Sequence, residues 1–345
     1  MTDHLPSGEG FNRFTVLDLD RTGNFVFPDS ITPVPQDEVS DFLRGQLIVP
    51  KNVTDIFVWV HGWQHVRESA YKTAARLFAA IESLYTEQSK MYPHLEGFKA
   101  MYVAIRWPSK SAHSPRGYFR IRNRAHGMTT HGYAEFALSH LLGYLDEERE
   151  RPKRGPETLM AASGQYLHCI GHSFGGRFLA EAIAAAPAPQ PPTLRLLHRN
   201  ERFEYTIDNL VVFQMAARRT VFADQFKDLL DTGPLQGPVC LTFSRADRAN
   251  CSWHRFTESG ACAVGCRGAT KPSARVRTTL LRSSNDTYKE YELSYPIVNI
   301  DASWLYRKGK FTRPEGAHSD FWYRESIHLI LTLVDYARPL NETDG

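Results

Sequence analysis

Gly171-His172-Ser173-Phe174-Gly175 is the stretch of this chain whose residue types and spacing most directly imply chemistry. The apolar run Leu167-His168-Cys169-Ile170 before it reads as a buried strand. After it, Phe178, Leu179, Ala182 and Ile183 recur every three or four residues, as on a helix. A glycine-flanked serine between such a strand and such a helix is a nucleophile elbow. The sharp turn lifts the hydroxyl out of the sheet, and the glycines permit the close backbone approach that the turn needs. The helix start then offers free N–H groups to a developing negative charge.

A serine hydroxyl is a weak nucleophile, so it needs a base, and the base needs an acid to fix its tautomer. With an elbow, acid and base follow the serine in that order, each beyond the carboxyl end of a later strand. Asp247, in Ser244-Arg245-Ala246-Asp247-Arg248-Ala249, meets this requirement, although it also suits a turn aspartate paired with Arg245 or Arg248. Asp301 ends a strand as well and is the rival acid; its other use is to pair with the basic run from Lys308 to Arg313. His318, in Gly316-Ala317-His318-Ser319-Asp320, stands after the last strand and before the last helix, where a general base belongs, or where a helix-start residue would sit. His328 falls inside that helix and reads as packing or surface. For the oxyanion, Phe174 supplies one backbone donor and Trp63, after His61-Gly62, the second; otherwise His61-Gly62 is a tight turn.

The elements that must position these groups are legible from residue 55 onward. Asp55–Val60, Ala100–Ile105, Leu167–Ile170, Asn209–Phe213, Val239–Ser244 and Ile297–Ile300 read as strands. Helical stripes run from Ala70 to Leu84, from about Tyr133 to Glu148, through Phe178–Ile183, from Phe222 to Leu230, and from about Phe321 to Tyr336. Alternation of strand and helix implies an α/β fold with a mostly parallel sheet covered on both faces. Residues 1–44 read as an antiparallel β extension on a single domain whose core is about 45–340, with Gln46–Val49 as a short strand. Lys110 to Gly127 reads as a basic loop, and Ala184 to Pro192 as a surface loop.

These features together resemble the α/β-hydrolase superfamily, and within it a bacterial group of unknown function. The shared segments are Val60-His61-Gly62, Arg106-Trp107-Pro108-Ser109, the elbow, Phe243-Ser244-Arg245-Ala246-Asp247-Arg248-Ala249 and Ala317-His318-Ser319, spanning about 55 to 337. The resemblance implies Ser173, Asp247 and His318 as a triad. Phe174 departs from the methionine frequent in that group, and Cys251 to Gly268 is expanded. The expected activity is cleavage of a carboxylic ester through an acyl-enzyme, with no cofactor. A lipid ester, transfer to another acceptor, or a non-catalytic binding role on the same fold are the alternatives.

Weaker signals concern the substrate and the cysteines. Arg116, Arg120, Arg122 and Arg124 could hold a carboxylate or phosphate, or form a solvated face. Trp107 and Trp304 are candidate substrate contacts, and with Trp63, Phe119 and Tyr306 could line an acyl pocket or belong to the core. Cys251, His254, Cys262 and Cys266 are ligands of zinc-compatible type at a non-standard spacing. The five cysteines do not suggest a disulfide framework. A formal charge of +3 on 345 residues gives no reason to expect nucleic acid. No apolar run reaches membrane-spanning length, and Met1–Gly10 has no secretory apolar core, so a cytoplasmic location is expected.

Overall fold

Successive residues of a strand face opposite ways, so a strand covered on both sides must be apolar throughout. β3 (Asp55–Val60) is buried at all six positions, with Ile56, Val58 and Val60 in one core cluster and Phe57 and Trp59 in the other. The computed structural model describes residues 5–28, 30–112, 114–150, 164–185, 206–231, 234–257, 260–309 and 313–338. Its other strands are β1 (Thr15–Leu19), β2 (Phe25–Val26), β4 (Ala100–Arg106), β5 (Tyr166–His172), β6 (Asn209–Phe213), β7 (Val239–Phe243), β8 (Val276–Leu280) and β9 (Ile297–Asp301). They form one nine-stranded sheet in the order β2-β1-β4-β3-β5-β6-β7-β9-β8, parallel except for the β1–β2 pair.

The longer helices are α1 (Val39–Gln46), α2 (Arg67–Gln88), α3 (Pro115–Thr130), α4 (Ala134–Glu148) and α5 (Phe174–Ala185). Short helices follow, α6 (Lys227–Asp231), α7 (His254–Thr257), α8 (Val264–Arg267) and α9 (Glu290–Leu293), before α10 (Arg324–Tyr336). Leu43 of α1, Tyr118 of α3, Leu141 of α4 and Phe178 of α5 pack in one cluster, while Leu77 and Phe78 of α2 and Leu331 of α10 pack in the other. This is a mostly parallel sheet covered on both faces, with its antiparallel part at the N-terminal edge. Registers align Val60 with Gly171, His172 with Phe213, Phe213 with Thr242 and Phe243 with Asp301. The loops leaving β3, β5, β6, β7 and β9 therefore emerge along one edge.

Several sequence expectations need correction. The basic stretch 110–127 is a loop only as far as Ser114, which caps α3 by accepting from the Gly117 N–H, with Pro115 in the first turn. Its buried stripe Tyr118, Ile121, Ala125 and Met128 is what holds it to the core. Residues 46–49 are the end of α1 and an irregular segment, not a strand. β1 was expected in an antiparallel unit, but it lies parallel to β4 and only β2 is antiparallel to it. The last helix begins at Arg324 rather than Phe321. β8 is an additional strand at the sheet edge. Most of the expected surface loop 184–192 lies outside the described residues, Ala184 and Ala185 closing α5.

Candidate active site

Ser173 sits in the left-handed backbone region at φ +55°, the one place between β5 and α5 where the chain must reverse. The surrounding glycines are required by contact, not by habit. A Cβ on Gly171 would lie 2.3 Å from the Gly176 Cα, and one on Gly175 would lie 2.2 Å from the Val60 carbonyl oxygen. The Ser173 N–H donates to the Phe213 carbonyl at 2.9 Å, tying the turn to the end of β6.

The structure brings Ser173, His318 and Asp247 together. His318 Nε2 is 2.9 Å from Ser173 Oγ, and His318 Nδ1 is 3.0 and 3.1 Å from the two oxygens of the Asp247 carboxylate. All three are buried. With Nδ1–H donated to the carboxylate, Nε2 carries the lone pair that faces the serine hydroxyl. The loops bearing acid and base are paired directly, by a bridge between Asp247 and Gly316 and by the Ala317 N–H donating to the Ala246 carbonyl at 3.0 Å. Asp301 stands elsewhere: its carboxylate accepts from the Ser303 N–H at 2.9 Å. His328 is buried inside α10, between Tyr92 Oη at 2.8 Å and the Asp286 carbonyl at 3.0 Å.

Two amides that sequence reasoning missed complete the acid's surroundings. Gln214 Nε2 donates to Asp247 Oδ2 at 3.0 Å and to the Ala317 carbonyl at 2.8 Å, so one side chain joins the acid to the residue before the base. Asn250 donates its backbone N–H to Oδ1 at 2.9 Å and Nδ2 to Oδ2 at 2.8 Å. Such donors satisfy the lone pairs of a buried carboxylate and fix its orientation towards His318. Gln214 is itself left-handed at φ +49°, directly after β6. Asn250 reaches the carboxylate from three residues along the chain, whereas only the fold brings Gln214 to it.

The loop after β3 is braced from the side. Trp107 donates its backbone N–H to His61 Nε2 at 3.2 Å and its indole N–H to the His61 carbonyl at 2.7 Å. Ser109 accepts from the N–H groups of Gln64 and His65, at its carbonyl and its hydroxyl respectively. His61 is thus fixed as the neutral tautomer, since Nδ1 faces the Gly62 carbonyl at 2.8 Å and must donate. Burial, and His65 beside it, hold its imidazole well below the ordinary 6.5, and burial pushes His65 down to about 4. His172 is lowered well below 6.5 by burial and by neighbouring His318, whose carbonyl accepts from His172 Nε2 at 2.8 Å. Trp63 follows in this loop with its indole N–H on Ser111 Oγ at 2.6 Å. Phe174 opens α5, so its N–H has no acceptor within the helix.

A cavity of about 400 Å³ opens beside His318. Trp63, His65, Phe321 and Trp322 give it apolar and aromatic walls, and Lys72, Arg76 and Arg313 line it with Glu315. Gln64 also faces it, at φ +74°, and its buried Nε2 has no hydrogen-bond acceptor among the described residues.

The remaining candidates are not brought to this cavity. Trp107 is buried against His61 and Phe178, where it braces the loop after β3. Arg116 and Arg120 lie on the exposed face of α3, and Arg124 donates to the Pro108 carbonyl at 2.6 Å. Trp304 is half exposed with its indole N–H on the Leu281 carbonyl, Phe119 is exposed, and Tyr306 is core, bonded to Ser326. The zinc reading fails because Cys251 and Cys266 are joined in a disulfide, while His254 Nδ1 pairs with Tyr118 Oη at 3.1 Å. The disulfide also corrects the expectation that the cysteines are unpaired; Cys169, Cys240 and Cys262 are free. Among the described residues no cluster of histidine, cysteine or carboxylate is placed to hold a metal, and no helix is long and apolar enough to cross a membrane.

No family model matches this chain, and no relative is found among curated proteins. One solved structure with partial similarity is an inhibited esterase B from Lactobacillus rhamnosis, 13% identical, with a TM-score of 0.27 over 60% of this chain and 60% of that one. The chain thus spans about three-fifths of that structure's length, and a likeness of this size carries no weight for fold or activity.

Proposed function

We propose that this protein is a serine hydrolase that cleaves a carboxylic ester. The supporting observation is the unbroken hydrogen-bond chain from Ser173 Oγ through His318 to the Asp247 carboxylate, at 2.9 and 3.0 Å. His318 takes the Ser173 proton as the oxygen attacks the ester carbonyl, and Asp247 stabilises the imidazolium without accepting its proton. The N–H groups of Trp63 and Phe174 stabilise the tetrahedral oxyanion. His318 then protonates the leaving alkoxide, and water, activated by the same histidine, hydrolyses the acyl-enzyme. No step requires a cofactor.

The cavity supports a narrower reading of the substrate. Lys72, Arg76 and Arg313 outnumber Glu315 along its lining, which favours an ester carrying a negative charge away from the scissile bond. Gln64 Nε2, buried with no acceptor among the described residues, supplies a donor for that substrate.

A fluorophosphonate probe tests the nucleophile. Labelling of the native chain that disappears in Ser173→Ala is expected, and labelling that survives the substitution refutes it. Asp247→Ala is expected to abolish turnover of a short p-nitrophenyl ester while Asp301→Ala leaves it intact; the reverse pattern would reassign the acid. Rates on a neutral acetate ester and a hemisuccinate ester of the same alcohol test the charge preference.

A further inference from the structure

The start of α2 stands between two cavities. On one side is the cavity beside His318; on the other, at the ends of β1 and β4, is a second one of about 520 Å³. Residues three and four apart share a face of a helix, and here the two faces part company. Val66, Arg67 and Ala70 line the second cavity, whereas Ser69, Lys72, Thr73 and Arg76 line the one beside His318. The loop after β3 divides in the same way, with His61 on the second cavity and Trp63 and Gln64 on the first. Among the described residues, His65 alone lines both.

The backbone of His65 is anchored independently of its ring. Its N–H donates to Ser109 Oγ at 3.0 Å, and its carbonyl accepts from the same hydroxyl at 3.3 Å. The imidazole meets His61 edge-on with centroids 4.9 Å apart, and its Nδ1 lies 3.4 Å from Thr73 Oγ1, a long hydrogen bond. Burial holds the ring's pKa at about 4, so it is uncharged at neutral pH, a state that suits a wall with apolar side chains on either side. The second cavity supplies such side chains: Leu19, Val26, Ala70, Trp107 and Pro108 line it. The Asp18 carboxylate on its lining is taken up by Arg106, whose Nε and Nη2 each donate to it at 2.7 Å.

We propose that His65 sets the size of substrate this protein accepts: its ring ends the cavity beside His318 and so excludes esters whose acyl or alcohol arm is long enough to need the second cavity. This role presupposes that the protein cleaves esters at Ser173. His65 takes no part in making or breaking bonds. It is a steric boundary, so shortening it changes which ester is preferred and not merely how fast any ester is cleaved.

Two ester series test this on the full chain: p-nitrophenyl esters from butyrate to decanoate, and acetates of alcohols from ethyl to octyl. The native chain should lose kcat/KM as the arm lengthens in both. In His65→Ala one series should instead favour its longer members, by about fourfold for each methylene that enters the second cavity and about a hundredfold over three or four, with KM falling and kcat little changed along the series. His65→Phe keeps a ring at the partition and should keep the native profile. His65→Val, a smaller cut, should shift the same series less, and it serves where the alanine variant fails to fold. The proposal is overturned if both series keep the native optimum in His65→Ala and His65→Val, if His65→Phe shifts as far as His65→Ala, or if the native chain already cleaves the longest members fastest. Fluorophosphonate labelling separates the two ways of failing. A native chain labelled at Ser173 with an unmoved profile refutes the partition alone, and an unlabelled one refutes the ester-cleaving reading on which it rests.

Discussion

The histidines packed around the loop after β3 make the protein's stability fall with acid in a specific window. His61, His65 and His172 are all held below the ordinary histidine value of 6.5, His65 at about 4. As pH falls past 6.5 each takes up a proton in the unfolded chain before it does so in the folded one. Their contribution is therefore complete above pH 6.5 and is lost as pH drops towards the folded values. His65 costs about 3 kcal/mol by pH 4, and His61 and His172 act in the same direction. Asp335 works against them. Burial raises it to about 6, so the folded state gains its proton first and stability rises as pH falls below 6. His328, lowered by burial, and Asp320, raised by burial, act in opposite directions. The net direction is a loss of stability as pH falls from 6.5 towards 4.5, three buried histidines against one buried carboxylate. Urea unfolding at constant ionic strength across pH 7.5 to 4.5 measures it. His65→Asn should reduce the slope by about 1.4 kcal/mol per unit. A stability that is flat or rises from pH 6.5 to 4.5 refutes the reasoning.

Two other substitutions test how the site is built. Gln214→Met removes the donors to Asp247 and to the Ala317 carbonyl but leaves both Asn250 donors, so kcat should fall about 10- to 100-fold while folding persists; an unchanged kcat would show that Asn250 suffices. Gly175→Ala drives a methyl into the Val60 and His61 carbonyls at 2.2 and 2.5 Å and should lower the melting temperature markedly, whereas Gly45→Ala, with nothing within 4 Å, should stabilise α1 by about 0.5–1 kcal/mol.

The buried parallel strands were readable because their sequences carry the physical requirement directly. Asp55–Val60 and Asn209–Phe213 are apolar at nearly every position, as strands covered on both faces must be. The elbow was readable for a related reason, since only glycine fits where β5, α5 and β3 converge. Helix α3 was hidden because arginines and glycines interleave its four core residues, although Ser114-Pro115 is a cap signal in plain view. β8 was missed because Arg277-Thr278-Thr279 lies on a half-exposed edge with no strong alternation. Trp107 could not be placed from sequence, because a strand-end aromatic reads the same whether it faces a cavity or braces a loop. Gln214 had no sequence signal, as its role depends on segments 33 residues and more away, whereas Asn250 stands only three residues after Asp247 and was overlooked.

The strand order has a bearing on how the chain reaches this state during synthesis. β8 emerges before β9, yet β9 lies between β7 and β8, and among the described residues β8 pairs with β9 alone. Until residue 301 is available, β8 has no edge to join and β7 ends the sheet prematurely. His318 is made later still, so the contact from Ser173 through His318 to Asp247 closes only after β9 has been made. A nascent chain stopped short of β9 would present the β7 edge to other chains, and aggregation, not partial activity, is the outcome such truncation favours.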